Sequence, residues 1–288
     1  MKILFKFFAT IAVIFILFSS LTCAQQGQLS SPVVAEKIAE NIYQLTGGSG
    51  SNGGFYVGED AVLLIDTKMS EQSVLDELAA IKKITDKPIK YLVNTHADGD
   101  HVNGNVFLPE GVTIISHENC YKEFFVSRDG SPSNWEKPEM AKGLPQVLFN
   151  DRMDIRIGKK IIELYYFGRG HTTGDTYIYF REEGVAFIGD QYFEGRVPLF
   201  HTYKNGSAVA YVGTMRRMLE AIPATKFCSG HAPMVSREKL IEYVNGIEST
   251  VEKVRSLINQ KKSLDAIKSS FSEGEATIIE GIYNDLLK

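Results

Sequence analysis

The run Ile89-Lys90-Tyr91-Leu92-Val93-Asn94-Thr95, followed at once by His96-Ala97-Asp98-Gly99-Asp100-His101, decides how this chain reads. A mostly apolar segment of strand length ends in two imidazoles and two carboxylates within six residues. Neutral imidazole binds divalent metals, and carboxylates add charge and can bridge two ions. Crowded together they repel, and only protons, counter-charges or a metal relieve the repulsion. Asp and Gly are ordinary turn residues and a single His is commonly just a satisfied polar group. The whole cluster has little structural reason to stand at a strand end.

Three more polar residues hold comparable places. His171 follows Leu164-Tyr165-Tyr166-Phe167-Gly168-Arg169-Gly170, Asp190 ends Val185-Ala186-Phe187-Ile188-Gly189, and His231 ends Phe227-Cys228-Ser229-Gly230. Strand ends are stiff, which a preorganised metal site requires, and glycines before the ligands permit close approach.

Around these points the pattern alternates between strands and helices. Strands are expected at Ile42–Leu45, Gly54–Gly58 and Ala61–Asp66, then a helix capped by Ser70 with Val74, Leu75, Leu78 and Ile81 facing inward. After the ligand cluster come a strand at 112–116 and a helix at 117–126. The second half shows strands at 154–157, 160–167, 175–181, 184–189 and 226–229, with helices at 206–220 and 235–259 and short helices over the last 25 or so residues. Strand-rich segments followed by helices, occurring twice, predict an α/β fold: two pseudo-symmetric halves packed sheet against sheet with helices outside. Residues 127–146 differ. They are loop-like and hold the single tryptophan, Trp135, which either plugs the segment against the core or faces a substrate.

The first 24 residues form a separate unit. Lys2 and Lys6 precede an apolar stretch from Phe7 to Phe18, and Ser19 to Ala24 turns small and polar. This is the pattern of a secretory signal peptide cleaved after Ala24, leaving one domain over 25–288 in a secreted or periplasmic protein. The apolar stretch is short for a span of about 20 residues, so no stable membrane span is expected after cleavage. Cys23 is a weaker candidate for lipidation. Cleavage removes two lysines and no acid, so the formal charge of −4 becomes −6. That balance argues against nucleic acid as a partner. Cys120 and Cys228 are expected as buried free thiols, because two cysteines do not make a disulfide scaffold. The sequence contains no G-x-S-x-G elbow and no P-loop, and it does not set an oligomeric state.

The five motifs, from about Ile42 to His231, resemble the metallo-β-lactamase fold superfamily, whose usual first motif is H-x-H-x-D-H. His96, Asp100 and His101 match it, and His171, Asp190 and His231 match the later ligand positions. The resemblance implies a four-layer αββα sandwich and two divalent metal ions. His96 and His171 would hold one ion and Asp100, His101 and His231 the other, with Asp190 bridging. Asp66 matches an acid that supports the ligands from behind. Asp98 departs from the family: it stands where a second histidine is usual, and is taken here as a ligand. A carboxylate there favours harder ions; flavodiiron relatives also carry an acid at this place. Zn2+ is the first choice of metal, with Fe or Mn the alternatives.

By the same resemblance the chemistry is hydrolysis by a hydroxide shared between two ions, with Asp100 and Asp190 in catalytic roles. The expected substrate is a small molecule with an ester, thioester, lactone or amide bond. β-Lactams rank lower, because true β-lactamases of the family generally have Cys or Ser where this chain has Asp190. The alternatives are an iron-dependent redox enzyme of flavodiiron or persulfide-dioxygenase type, and a non-catalytic secreted metal-binding protein. His201, Trp135 and Tyr192 are candidate substrate contacts at the mouth of the site. His117 is expected to serve structure, as a helix cap or a support for the ligands.

Overall fold

The computed structural model describes residues 31–196 and 198–288; the expected signal peptide, residues 1–24 with Cys23, lies outside them. Seven strands form a first sheet in sequence order. They are β1 (Val34–Ala39), β2 (Ile42–Thr46), β3 (Gly53–Val57), β4 (Val62–Ile65), β5 (Ile89–Val93), β6 (Thr113–His117) and β7 (Val147–Phe149). Hairpin connections make β1 to β4 antiparallel, and crossovers make β4 to β7 parallel. The crossover helices here are α1 (Glu71–Lys82), α2 (Gly99–Val102) and α3 (Glu118–Glu123).

The second sheet contains β8 (Arg152–Ile157), β9 (Lys160–Tyr165), β10 (Tyr177–Phe180), β11 (Val185–Phe187), β12 (Lys226–Cys228) and β13 (Val235–Ser236), in the order β13-β12-β11-β10-β9-β8. Only β11 and β12 are parallel, because α4 (Ala208–Ala221) crosses between them. The chain ends in α5 (Arg237–Asn259), α6 (Leu264–Lys268) and α7 (Ala276–Leu286).

Three apolar layers make the expected four-layer αββα sandwich. Leu63, Ile65 and Val93 of the first sheet meet Ile162, Ile178 and Phe187 of the second between the sheets. Leu64 and Leu92 point the other way, toward Ile81 of α1. Tyr179 and Phe227 point outward to Met215 of α4 and Val244 of α5. Alternation along each strand thus feeds two layers at once, and strands buried on both faces read as continuous apolar runs. Among the described residues no helix is long and apolar enough to cross a membrane. Cys120 and Cys228 are free and buried.

Three local expectations change. Leu75 is half exposed, because the buried face of α1 is Ser73, Val74, Glu77, Ala80 and Ile81. That face is turned by polar anchors: Ser73 Oγ accepts the Ser49 amide, and Glu77 is buried in the field of Lys68. Strands β1 and β7 lie in segments with no clear strand signal. Both are edge strands, where one neighbour supplies the hydrogen bonds and little apolar burial is needed. Residues 127–146 hold two 3-10 turns, Asn134–Glu136 and Pro138–Gly143, the first closed by a Ser133/Glu136 capping box.

Gly54 of β3 lies close against the second sheet: a Cβ there would lie 2.3 Å from the Phe187 ring. Gly54→Val is expected to destabilise the protein by about 1–3 kcal/mol through overpacking, read as a lower midpoint in denaturant with an unchanged m-value.

Candidate metal centre

The predicted ligands follow strands β5, β9, β11 and β12, at the rim where the two sheets face each other. Asp66, just after β4, prepares the site. Its backbone is left-handed at φ +56, so the carboxylate turns back along the rim. It accepts from Thr95 N and Thr95 Oγ1, both at 2.7 Å, and from His101 Nδ1 at 2.8 Å. Parallel pairing of β4 with β5 brings Asp66 and Thr95 side by side.

These bonds settle which imidazole nitrogens carry protons. A carboxylate only accepts, so His101 Nδ1 holds the hydrogen and its Nε2 points a lone pair into the site. Thr95 Oγ1 spends its own hydrogen on Asp66, so at 2.9 Å it accepts from His96 Nδ1. His171 Nδ1 donates to the Leu199 carbonyl at 2.7 Å. All three Nε2 atoms therefore face inward. Asp98 N-caps α2 without a side-chain capping bond, which leaves its carboxylate to the site.

Seven side chains meet here. His96, Asp98, His171 and Asp190 form one group and Asp100, His101 and His231 another, the ligand atoms within each group lying within 4.8 Å of one another. Asp190 spans both: Oδ2 lies 3.9 Å from His96, 3.8 Å from His171 and 3.2 Å from His231, and Oδ1 lies 3.2 Å from His101. Gly189 takes a positive φ of +51 to present Asp190, and a Cβ on Gly230 would lie 2.2 Å from Asp190 Oδ1. Yet His96 Nε2, His101 Nε2 and Asp190 Oδ1 are buried with no hydrogen-bond partner. Orphaned inward-facing acceptors around a bridging carboxylate fit two divalent cations, which take those lone pairs.

Electrostatics without metal agree. Burial would push His171 and His231 down, but the hydrogen bonds that the first donates to Asp98 and the second to Asp100 and Asp190 outweigh it, holding both at about 9. Burial opposes ionisation of Asp190, but the charge of nearby His101 and the closeness of His231 and His96 keep it well below the carboxylate range. Asp98 is likewise held far down, against its burial, by His96, His171 and His201.

A match to the family model of the metallo-beta-lactamase superfamily covers residues 46–231, from the end of β2 to the last histidine of the cluster. The chain belongs to the metallo-beta-lactamase superfamily. Among relatives, the 2,4-dinitroanisole O-demethylase subunit alpha of Nocardioides sp. is 25% identical over 184 residues, 63% of this chain and 52% of its own. The chain thus spans about half the length of that relative. Hydroxyacylglutathione hydrolase of Pelagibacter ubique is 26% identical over 228 residues, 73% of this chain and 83% of its own. The solved metallo-beta-lactamase from Pontibacter korlensis superposes with a TM-score of 0.63 at 21% identity, over 75% of this chain and 99% of that one.

Within this superfamily frame, the other candidate residues are placed as follows. His201 lies against Asp98, its Nε2 2.8 Å from Oδ2. Trp135 is buried edge-on against Phe124, ring centres 4.8 Å apart, and also lines a cavity of about 740 Å³ beside Asp98 and Asp100. Tyr192 is buried against Tyr243 and lines a different cavity, of about 560 Å³, that none of the seven ligands reaches. His117 caps α3, accepting from Asn119 N. Gly48-Ser49-Gly50-Ser51-Asn52-Gly53 has the glycine spacing of a dinucleotide fingerprint, but it leads into β3 and not a helix. Its Ser51 and Asn52 amides are spent on the carbonyls of Asp100 and Gly230.

Sequence reasoning missed Lys204. Its Nζ donates to Asp98 Oδ1 at 2.6 Å and to Ala97 O at 2.8 Å, and the side chain is almost wholly buried. A lysine in a loop gives no local signal; only the fold shows that it offsets the extra carboxylate.

Metal-free protein carries His171 and His231 as imidazolium at neutral pH. Groups with raised folded-state values stabilise fully below the ordinary histidine value of about 6.5. That contribution is lost as pH climbs through about 9. The Tm of chelator-treated protein is expected to fall between these limits, and differential scanning calorimetry across the range checks the sign.

Proposed function

We propose that this chain is an exported, two-metal hydrolase acting on an ester, thioester, lactone or amide bond of a small molecule, with β-lactams a lesser substrate class. The observation that carries the reading is Asp190, whose carboxylate reaches both ligand groups: Oδ2 lies 3.9 Å from His96 and 3.8 Å from His171, and the two oxygens lie 3.2 Å from His101 and His231. Aspartate at this bridging place is the reason for ranking ester, thioester and lactone cleavage above β-lactam cleavage. A hydroxyacylglutathione hydrolase among the relatives supports the same order.

His96, Asp98 and His171 would hold one ion, Asp100, His101 and His231 the other, and Asp190 both. Two bound divalent ions supply a water-derived nucleophile at neutral pH and polarise the scissile group. The protein does the rest. Asp66, Thr95 and the Leu199 carbonyl fix the imidazole tautomers, so no reorientation is needed when substrate arrives. Asp100 is the one ligand carboxylate that is substantially exposed, and it borders the 740 Å³ cavity. It is placed to take the proton of the attacking water and return it to the leaving group. The cavity mixes Arg128 and Lys204 with Asn134 and Trp135, which suits a polar substrate with an apolar portion.

Asp98 supports zinc less strongly than a third motif histidine would, and an iron redox enzyme is the competing reading. Elemental analysis of protein purified without added metal separates the two: two zinc ions per chain with no iron supports the hydrolase, and two irons overturns it. Asp100→Ala, assayed with added metal to offset the lost ligand, is expected to lower hydrolysis by roughly 100-fold or more across a panel of esters, thioesters, lactones and lactams. Unchanged rates would remove Asp100 from the chemistry. Export rests on residues 1–24, and mass spectrometry of the cell-envelope fraction is expected to find a chain beginning at Gln25.

A further inference from the structure

Asp98 replaces a histidine of the family's first motif, and the surroundings of its carboxylate hold an imidazole that the motif does not include. Three ring nitrogens converge on Asp98 Oδ2: His201 Nε2 at 2.8 Å, His171 Nε2 at 2.9 Å and His96 Nε2 at 3.4 Å. Donors bound to one ion at about 2.1 Å lie about 3.0 Å apart at right angles and about 3.4 Å apart in a tetrahedron. All three separations are close to those of atoms sharing one ion. The rings agree: His171 and His201 are 4.6 Å apart centre to centre, against 4.8 Å for His96 and His171 and 4.0 Å for His96 and His101.

We propose that His201 is a ligand of the first metal, bringing from a distant loop an imidazole to the side of the site that Asp98 occupies, so that it holds that ion with Asp98 and His171. The inference rests on the two-metal reading of the site, but not on what the site hydrolyses.

A simple hydrogen bond explains His201 less well. Asp98 does not need it for orientation, because Lys204 already holds Oδ1 at 2.6 Å and reaches the Ala97 carbonyl as well. Nor does Oδ2 lack a donor, since His171 Nε2 is there. Lys204 completes the exchange: with Asp98 it forms a pair of no net charge, so Asp98, Lys204 and His201 together carry the charge of one neutral histidine.

The loop is built to hold this position. His201 N donates to the His171 carbonyl at 2.9 Å, and the Lys204 and Gly206 amides both donate to the His201 carbonyl at 2.9 Å. Gly206 is packed so closely on the His171 carbonyl that a Cβ would lie 2.1 Å from that oxygen. Backbone of the candidate ligand is thus tied to backbone of an established candidate, as a preorganised site requires. His201 Nδ1 is buried and has no partner, so a hydrogen there is shielded from solvent.

That hydrogen makes the test. In Co2+-loaded protein each bound histidine gives one hyperfine-shifted, solvent-exchangeable ring N–H signal in the proton NMR spectrum. Five are expected in the wild type, from His96, His101, His171, His201 and His231, and four in His201→Gln. A second measurement is Zn2+ affinity by competition with a chromophoric chelator, where His201→Gln should weaken one site by 100-fold or more. Loss of a group that only supports a ligand typically costs about 10–100-fold. Equal numbers of signals in the wild type and in His201→Gln would overturn the assignment, as would a first-site affinity changed less than 100-fold. The melting temperature of the metal-free variant reports folding, and if the variant fails to fold the wild-type count decides alone. None of these readouts involves turnover. A wild type that shows five signals and hydrolyses nothing leaves the ligand in place and removes the hydrolase reading.

Discussion

The carboxylate of Asp66 is the constraint on which the centre depends. One buried side chain, turned by a left-handed backbone, ties the end of β4 to the first residue after β5 and to the ring of His101. Through Thr95 it also sets His96. Two ligands from one motif are therefore aimed by a residue about thirty positions upstream. Parallel pairing of β4 and β5 makes that reach short. The same pairing runs through the buried ends of both strands, so the stiffness of the scaffold and the aim of the ligands have a common origin.

Charge is the second organising fact. Asp98 and Asp190 are buried and ionised, and the rings around them cannot all be neutral without a cation. Lys204 meets part of this demand from a short turn, and metal ions would meet the rest. Where a relative's motif would place a neutral imidazole, this chain places an anion and then brings a buried cation to it. The departure at Asp98 is accompanied by a change in the charges around it.

Much of this was legible before any coordinates. The apolar runs of β4 and β11 are buried along their whole length and β5 is buried at its ligand end, so their existence was plain. Strands β1 and β7 were not, since an edge strand draws on its neighbour's hydrogen bonds more than on its own apolar residues. On α1, periodicity alone favoured Leu75, but the helix is rotated by polar anchors at Ser73 and Glu77 that no hydrophobic count weighs. The candidate contacts fared unevenly for a similar reason: Trp135 borders the cavity at the ligands, whereas Tyr192 turns into the core against Tyr243.

The sequence by itself determined the class of fold and the seven candidate ligands. Each ligand ends an apolar run, and residue type with position along a strand is local information. What only the tertiary structure decided is how those residues share their charge. It divided them into two groups with Asp190 between, fixed the tautomers through Asp66 and the Leu199 carbonyl, and carried His201 and Lys204 across about a hundred residues to Asp98. Such contacts are set by the closing of one sheet on the other, and at the level of sequence a loop lysine or histidine carries no mark of the carboxylate it will meet.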